Sequence, residues 1–395
     1  MTDAIQPDAP RTPFLKGKTV RSVAWQIVLL VGLVWLAWSA IDNAASNMRA
    51  RGIPTNFDFW NRTAGFDINS TLIPFSAANN TYGDAFFVGL LNTLLVSFWG
   101  IIFATIAGFL IGIARLSTNW MVARLAGAYV EIIRNTPLLL QLLFWYNAVL
   151  TPLPGPRQSI ALPGGIWINN RGLFLPSPSF EAGAGWAGLT ILGGVLGALI
   201  LHRMSIRRRL ATGRGLPVLW PATLLILGLP FAVFMAAGAP VTFEYPQLRG
   251  FNFAGGARVV PEFVALLIGL SLYTAAFIAE IVRAGILSVS RGQSEAAAAL
   301  GLTPAFTMRL IVVPQAMRVI IPPLTNQYLN LIKNSSLAVF IGYPDLVQVF
   351  AGTVLNQTGA AVQVITITMA VYLTISLLTS AFMNWFNRRI ALKER

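Results

Sequence analysis

The sequence predicts an all-α integral membrane protein with eight transmembrane helices, and three observations lead to this class. Hydrophobic residues make up 55% of the 395-residue chain and charged residues only 11%, whereas a typical soluble domain carries ~25% charged residues. Long uncharged windows recur along the chain, and a helix needs about 20 apolar residues to cross a bilayer. Lys and Arg concentrate in alternate connecting segments, which is the pattern that sets orientation in a membrane.

Seven of the eight predicted spans correspond directly to uncharged windows. These windows are 22–41, 85–114, 135–156, 182–201, 215–243, 263–279 and 346–387. All of them except 263–279 reach the length that a spanning helix needs. The remaining span, seventh in chain order, is placed at 323–342, where Pro322, Pro323 and Lys333 weaken the apolar pattern.

The distribution of positive charge supports the span at 323–342. With the N-terminus in the cytoplasm, the inside segments carry 20 of the 28 Lys and Arg residues and the outside segments carry 7. Without this span, the basic residues after 387 would lie outside, against the usual rule. We therefore expect both termini to be cytoplasmic. The same rule accounts for the net charge of +14, so no nucleic-acid partner is expected.

The predicted organisation has seven parts, and the central part is an insert of distinct composition. They are a cytoplasmic tail (1–22), an extra N-terminal span (23–41), an external loop (42–84), the first part of a core (85–153), the insert (154–257), the second part of the core (258–390) and a cytoplasmic C-terminus (391–395). In the insert, a Pro- and Gly-rich arm precedes two spans joined by the basic turn HRMSIRRRLATGRG. Five arginines in this turn could bind anionic lipid, although a topology signal is the simpler interpretation.

The residue content excludes several kinds of catalytic site. The chain has no cysteine and a single histidine, His202, so disulfides, cysteine-ligated metals and histidine-based metal clusters or triads are excluded. No Gly-x-x-x-x-Gly-Lys-Ser/Thr loop is present to bind nucleotide phosphates. We therefore expect no catalytic residue, no metal and no cofactor in this chain.

A soluble-looking segment, SEAAAALGLTPAFTMRLIVVPQAMR, follows the sixth predicted span on its cytoplasmic side. Ser290 and Gln293 fit a capping box with Glu295 in the first helical turn, and the alanines that follow favour a smooth helix. Gly301 permits a left-handed turn. Thr303 and the next residue, Pro304, can then start a second helix, with Thr303 as its N-cap. Two short helices joined in this way suit docking against another protein.

The spacing of this segment resembles the signature of permease subunits of ABC importers. The matching residues are Glu295, Ala296, Ala297, Gly301, Leu302, Ile311 and Pro314, with Val313 where the family usually has Leu. The resemblance implies that the loop 289–320 is the coupling loop, which docks in a groove on a separate ATPase subunit. ATP and Mg would then be bound by that ATPase and not by this chain.

Four further segments resemble the polar-amino-acid branch of these permeases. They are Gly89–Ser117, Tyr129–Tyr146, Ser271–Val289 and Asn326–Gly342, with Asn135 where the family more often has Gly. The extra first span and the inserted pair of spans are similar to the larger permease of the general L-amino-acid importers of Gram-negative bacteria. The resemblance implies a type I importer core in the cell inner membrane. It also implies a second, related permease subunit, ABC ATPase subunits, a periplasmic substrate-binding protein and membrane lipid as partners.

Polar residues inside the spans are candidates for the substrate pathway, because unpaired polarity in lipid is costly. The candidates are Asn92, Thr93, Ser97, Gln141, Tyr146, Asn147, Tyr273, Thr274, Asn326, Asn330 and Asn334. The last three recur every four residues and form one stripe. Hydrogen bonds between helices are an equally good explanation for any single one of them.

The charged residues within or beside the spans are expected to need partners. Glu280 and Arg283, three residues apart on one helix, are expected to form a structural ion pair, and Lys333 needs a partner.

Two other functions are weighed against the importer subunit. An ion-driven amino-acid carrier predicts matched broken helices and acidic residues at mid-bilayer, but the acids here lie at the ends of spans. An intramembrane enzyme needs a nucleophile with a base, or a metal set, within the spans. With one histidine and no Asp within the spans, the chain lacks the residues for either kind of catalytic site.

Overall fold

The computed structural model describes residues 18–50, 52, 54, 56–181, 184–213, 215–238 and 241–390. The predicted C-terminus 391–395 and most of the predicted tail 1–22 lie outside these residues. The described chain is mostly helical. Its α-helices are α1 (Lys18–Ala50), α2 (Tyr82–Ala114), α3 (Trp120–Asn135), α4 (Leu138–Leu143), α5 (Ala184–Thr212), α6 (Leu219–Thr223), α7 (Leu229–Ala236), α8 (Pro261–Leu287), α9 (Arg291–Ala299), α10 (Pro304–Thr307), α11 (Val313–Asn334), α12 (Leu355–Thr358) and α13 (Ala361–Ile390).

Seven helical stretches in the described part of the chain are long and apolar enough to cross a membrane. They are Arg21–Ala50, Tyr82–Ala114, Gly188–Thr212, Leu219–Ala236, Pro261–Leu287, Pro304–Ile341 and Ala361–Arg389. The other predicted span, 135–156, corresponds to a shorter apolar helix, Leu138–Leu150, in which α4 continues as a π-helix. Pro137 separates it from the amphipathic α3, because the residue before a proline avoids helical geometry.

The seventh span begins much earlier than predicted. Instead of 323–342, one helical stretch covers Pro304–Ile341, formed by α10, a π-helix at Met308–Val312, α11 and a 3-10 helix at Ser335–Ile341. Pro322 and Pro323 lie inside α11 and do not end it. Prolines are tolerated in membrane helices because neighbouring groups satisfy the freed carbonyls.

The last predicted span, 346–387, is divided in two. A π-helix at Val347–Val354 and α12 end at Gly359, whose φ of +67° is left-handed, and α13 follows. Glycine adopts this conformation without the steric cost that a Cβ brings. Both pieces are uncharged up to 387, so composition alone could not reveal the break.

The insert carries a small β-structure that the sequence did not predict. The strands are β1 (Ile160–Leu162), β2 (Ile166–Asn169), β3 (Gly172–Leu175), β4 (Ser177–Phe180), β5 (Val241–Glu244), β6 (Gln247–Arg249), β7 (Asn252–Ala254) and β8 (Ala257–Val259). They form an antiparallel sheet in the order β1-β2-β3-β8 and two separate pairs, β4-β5 and β6-β7. Strands from before and after the helices α5–α7 pair with one another, so the two arms of the insert make one structure.

The chain folds into two compact units. One consists of residues up to Leu90 with Leu346–Leu377, and its core holds aromatic rings such as Phe86 and Phe350, which meet edge to face with centroids 5.1 Å apart. The other consists of Leu91–Asp345 with Leu378–Arg395. Its core is mainly aliphatic and includes α8, whose Leu266, Leu270 and Ile278 are fully buried.

Two glycines allow α2 to approach α8 closely. A Cβ on Gly108 would lie 2.6 Å from Cβ of Ile278, and one on Gly112 would lie 2.7 Å from the carbonyl oxygen of Ala279. Small residues spaced four apart are typical of close helix contacts in membranes. This contact brings the end of α2 beside the last turns of α8.

Replacing Gly112 with alanine is expected to destabilise this contact. The added methyl must displace backbone of α8, and overpacking of this kind costs about 1–3 kcal/mol of unfolding free energy. Thermal unfolding of the detergent-solubilised protein measures the effect as a lower Tm. Gly127→Ala is the matched control, because its Cβ would meet nothing within 4 Å. Equal Tm values for the two variants would contradict the contact.

Candidate functional site

The coupling loop 289–320 has a defined backbone built on Gly301. Gly301 has a φ of +74°, and its amide donates to the carbonyl of Ala298 at 2.9 Å. The next amide, of Leu302, donates to the carbonyl of Ala297 at 3.1 Å. These two bonds form a Schellman motif, which ends a helix at a left-handed residue. The predicted left-handed turn at Gly301 is therefore confirmed, and the angle between α9 and α10 is set by backbone hydrogen bonds.

The predicted caps of this loop are wrong in their side-chain contacts. Ser290 and Thr303 have extended backbones at the N-termini of α9 and α10, but neither side chain makes a capping hydrogen bond. Glu295 lies beyond the first turn of α9. The side-chain oxygen Oε1 of Gln293 instead accepts a 3.3 Å hydrogen bond from Nε2 of Gln315. That bond connects α9 to α11, so Gln293 stabilises a contact between helices and does not cap α9.

Most of the signature residues lie on an open surface. Glu295, Ala296, Gly301 and Pro314 are exposed, and Leu302 and Ile311 are half-buried. Ala297 alone of the α9 residues is buried, with 2% of its surface exposed. The exposed large apolar side chains of the loop are Leu300, Phe306, Met308, Leu310, Val313 and Val319. An apolar patch on a helical loop of this kind is typical of a protein interaction site.

Several of the predicted pathway residues are hydrogen-bonded within the chain. Nδ2 of Asn92 donates to the carbonyl of Pro344 at 2.9 Å, and the carbonyl of Asn92 accepts from the hydroxyl of Tyr343 at 3.3 Å. Nε2 of Gln141 donates to two carbonyls where the chain passes from α3 to α4. The hydroxyl of Tyr146 donates to Glu262 at 3.1 Å. These contacts fit the interpretation of interhelical hydrogen bonds.

The other candidates differ in exposure. Thr93, Ser97 and Thr274 are buried, Tyr273 is half-buried and Asn147 is exposed. Within the described residues, the hydroxyl of Ser97 has no hydrogen-bond partner. The eleven predicted residues therefore range from buried to exposed.

The asparagine stripe occupies one exposed face of α11. Asn326 and Asn330 are exposed and Asn334 is half-buried. The buried residues of this helix are Ala316, Ile320, Ile321, Leu324, Leu331 and Ile332. Lys333 is also exposed and makes no ion pair with any residue that the structure describes. The helix thus turns its apolar side chains inward and amides and an ammonium outward, the reverse of what lipid favours.

The predicted ion pair at the end of α8 is confirmed and has a third member. Nη2 of Arg283 lies 2.6 Å from Oε1 of Glu280, and the guanidinium of Arg115 binds the other carboxylate oxygen of the same residue. Sequence reasoning missed Arg115 because it is 165 positions away. The only sequence feature that pointed to Arg115 was its position directly after α2, which ends at Ala114.

The long apolar helices of the described chain define a multi-pass membrane protein, with an exposed loop between two of its spans. Residues 201–392 match the family described as the binding-protein-dependent transport system inner membrane component. The chain is 51% identical over 375 residues to the general L-amino acid transport system permease protein AapQ of Rhizobium johnstonii, covering 95% of this chain and 93% of that protein.

Two more relatives align over nearly the whole chain. The putative amino-acid ABC transporter permease protein YhdX of Escherichia coli is 50% identical, with 95% of this chain and 96% of that protein covered. The glutamate/glutamine/aspartate/asparagine transport system permease protein BztB of Rhodobacter capsulatus is 43% identical, with 99% and 100% covered. The chain belongs to this family of transport system inner membrane components. Membership favours the importer subunit over the ion-driven carrier.

Removing the carboxylate shared by two guanidinium groups is expected to destabilise the end of α8. Glu280→Gln leaves Arg115 and Arg283 beside an amide, and losing charged hydrogen bonds costs about 1.5–3 kcal/mol. Thermal unfolding should show a lower Tm that is partly recovered in the double variant Glu280→Gln/Arg115→Gln. Arg124→Gln, on the exposed face of α3, is the control. Additive losses in the double variant would contradict a direct pair.

Proposed function

We propose that this chain is one permease subunit of an ATP-driven importer that moves polar L-amino acids across the cell inner membrane. The observation that carries the proposal is the exposed coupling loop with its Schellman turn at Gly301, placed between two spans of a chain that is 51% identical to a general L-amino acid permease. The chain itself performs no chemistry in this proposal. It transmits the ATPase cycle to the transport pathway.

The coupling loop docks on a separate ABC ATPase, which binds ATP and Mg. Buried Ala297 and the bond between Gln293 and Gln315 hold α9 against the rest of the chain. The helical stretch Pro304–Ile341 connects the loop directly to the polar face of α11. Because a helix is stiff along its axis, a displacement of the loop moves residues deep in the bilayer.

The polar face of α11 lines the pathway together with a second, related permease subunit. Asn326, Asn330 and Lys333 cannot face lipid without a large cost, and they are not covered by this chain. A second permease that presents a similar face would enclose them. Amides and an ammonium suit a ligand that carries a carboxylate.

The substrate class and its delivery follow from the relatives. AapQ is named for general L-amino acids and BztB for glutamate, glutamine, aspartate and asparagine, and the family is named for dependence on a binding protein. A periplasmic binding protein would deliver such substrates to the outer side. The paired strands of the insert, for example β4 with β5, offer it a structured contact surface. The Lys and Arg distribution supports cytoplasmic termini.

The coupling function predicts a specific effect of Gly301→Ala. A Cβ in the left-handed region costs about 1–2 kcal/mol, so the Schellman turn opens and α9 loses its orientation. We expect uptake and binding-protein-stimulated ATPase activity to fall together in proteoliposomes, while the variant still inserts in the membrane. Gly359→Ala carries the same strain at a φ of +67° outside the loop. If both variants lose uptake equally, coupling through the loop is not supported.

The pathway predicts that the asparagine face contributes to transport and not to assembly. Asn330→Leu removes one polar partner for the substrate, and a neutral hydrogen bond contributes enough for about a twofold to tenfold fall in uptake. The intact complex should still purify with its ATPase. Thr374→Leu is the control, since this exposed hydroxyl bonds only within its own helix. Normal uptake by Asn330→Leu would remove this face from the pathway.

A further inference from the structure

A second polar site lies away from the asparagine face, between α3, α8 and the residue that follows α2. We call it the charged cavity. It has a volume of about 350 Å³, and the residues that line it include Arg115, Glu131, Arg134, Asn135, Phe277 and Glu280. Its volume falls at the small end of the range for small-molecule sites, about 300–1,000 Å³. Of the seven lining residues, only Phe277 and Val130 are apolar.

Two of the charged residues that line the cavity, Glu280 and Arg115, bind each other. Glu280 accepts from Arg283 at 2.6 Å and from Arg115 as well, so its carboxylate has no oxygen left without a guanidinium. A structural ion pair of this kind closes one wall of the cavity. It does not supply a binding group for a ligand.

The other two charges have no such partner. Arg134 and Glu131 lie three residues apart on α3, so they share one face of the helix. Among the described residues neither forms an ion pair. The guanidinium of Arg134 lies over the ring of Phe277, 5.1 Å from its centroid, and such stacking orients it while leaving its donors open. One oriented cation and one anion therefore face the same small cavity.

We propose that the charged cavity binds a free α-amino acid, with its carboxylate on Arg134 and its ammonium on Glu131. A guanidinium recognises a carboxylate through two parallel hydrogen bonds, and a carboxylate accepts from an ammonium. A zwitterion satisfies both charges at once, which neither an anion nor a cation does. The amide of Asn135 offers a donor and an acceptor to a polar side chain. This inference rests on the proposed function for its choice of ligand.

The cavity lies near the end of α8 that leads into the coupling loop. Glu280 is two turns before Leu287, the last residue of α8, and α9 begins at Arg291. An amino acid bound here would therefore lie close to the coupling loop, at a site separate from the asparagine face.

Direct binding of radiolabelled L-glutamine to the complete transporter, without its binding protein, tests the proposal. The complex is placed in nanodiscs of phosphatidylglycerol, and saturable binding is expected. Arg134→Gln and Glu131→Gln should each weaken it about tenfold or more, the value of a charged hydrogen bond. Arg134→Lys should bind with intermediate strength. Arg124→Gln, exposed on the same helix, should bind like the wild type.

Ligand analogues assign each charge to its partner. N-acetyl-L-glutamine lacks the ammonium and should compete poorly with L-glutamine on the wild type, but nearly as well as L-glutamine on Glu131→Gln. Wild-type affinity in both Arg134→Gln and Glu131→Gln, or no saturable binding to the wild type, would overturn the proposal. Displacement of L-glutamine by added phosphatidylethanolamine would also overturn it, because the cavity would then hold a lipid headgroup.

A separate experiment tests the proposed function. ATP-driven uptake of L-glutamine with the binding protein present tests the importer itself. Uptake without direct binding leaves the proposed function standing and removes the charged cavity as an amino-acid site. No uptake of any polar L-amino acid by the wild type removes the proposed function instead.

Discussion

Hydrocarbon offers no hydrogen-bond partners, and this constraint acts on every polar group that lies within a span. The side-chain nitrogens of Asn92 and Gln141 satisfy it by donating to backbone carbonyls of the same chain. Glu280 satisfies it by binding two guanidinium groups at the end of α8. The exposed face of α11, with Asn326 and Asn330, does not satisfy it alone. This polar face is the reason for proposing the pathway there, because a second subunit or an aqueous cavity must supply the hydrogen bonds that lipid cannot.

In the proposed importer, the coupling loop transfers force from a soluble partner. A flexible loop would absorb the motion of an ATPase, whereas hydrogen bonds hold the backbone of this one. The Schellman bonds set the angle after α9, and a continuous helical stretch, Pro304–Ile341, follows it into the bilayer. Motion at the surface and the position of the polar face are therefore mechanically connected within a single element.

The sequence predicted the class, most spans and the turn at Gly301, because each depends on local composition or on a single backbone requirement. It misplaced the start of the seventh span, since Pro322 and Pro323 end most soluble helices but are tolerated inside α11. It missed the break at Gly359 because the residues on both sides of it are uncharged. The pairing of the two arms of the insert and the role of Arg115 could not be predicted for another reason. Both depend on contacts between segments far apart in the chain, for example Leu173 with Val259, and a single sequence does not display such pairs.

In the proposed transporter, an ATPase covers α9. The chain contains no cysteine, so a single Ala298→Cys substitution, at an exposed position of α9, reports on that surface alone. Maleimide labelling of this variant should be fast in the isolated chain and strongly suppressed in the complete transporter. A bifunctional reagent should link the same position to the ATPase. Equal labelling rates in both forms, with no cross-link to an ATPase, would contradict the account.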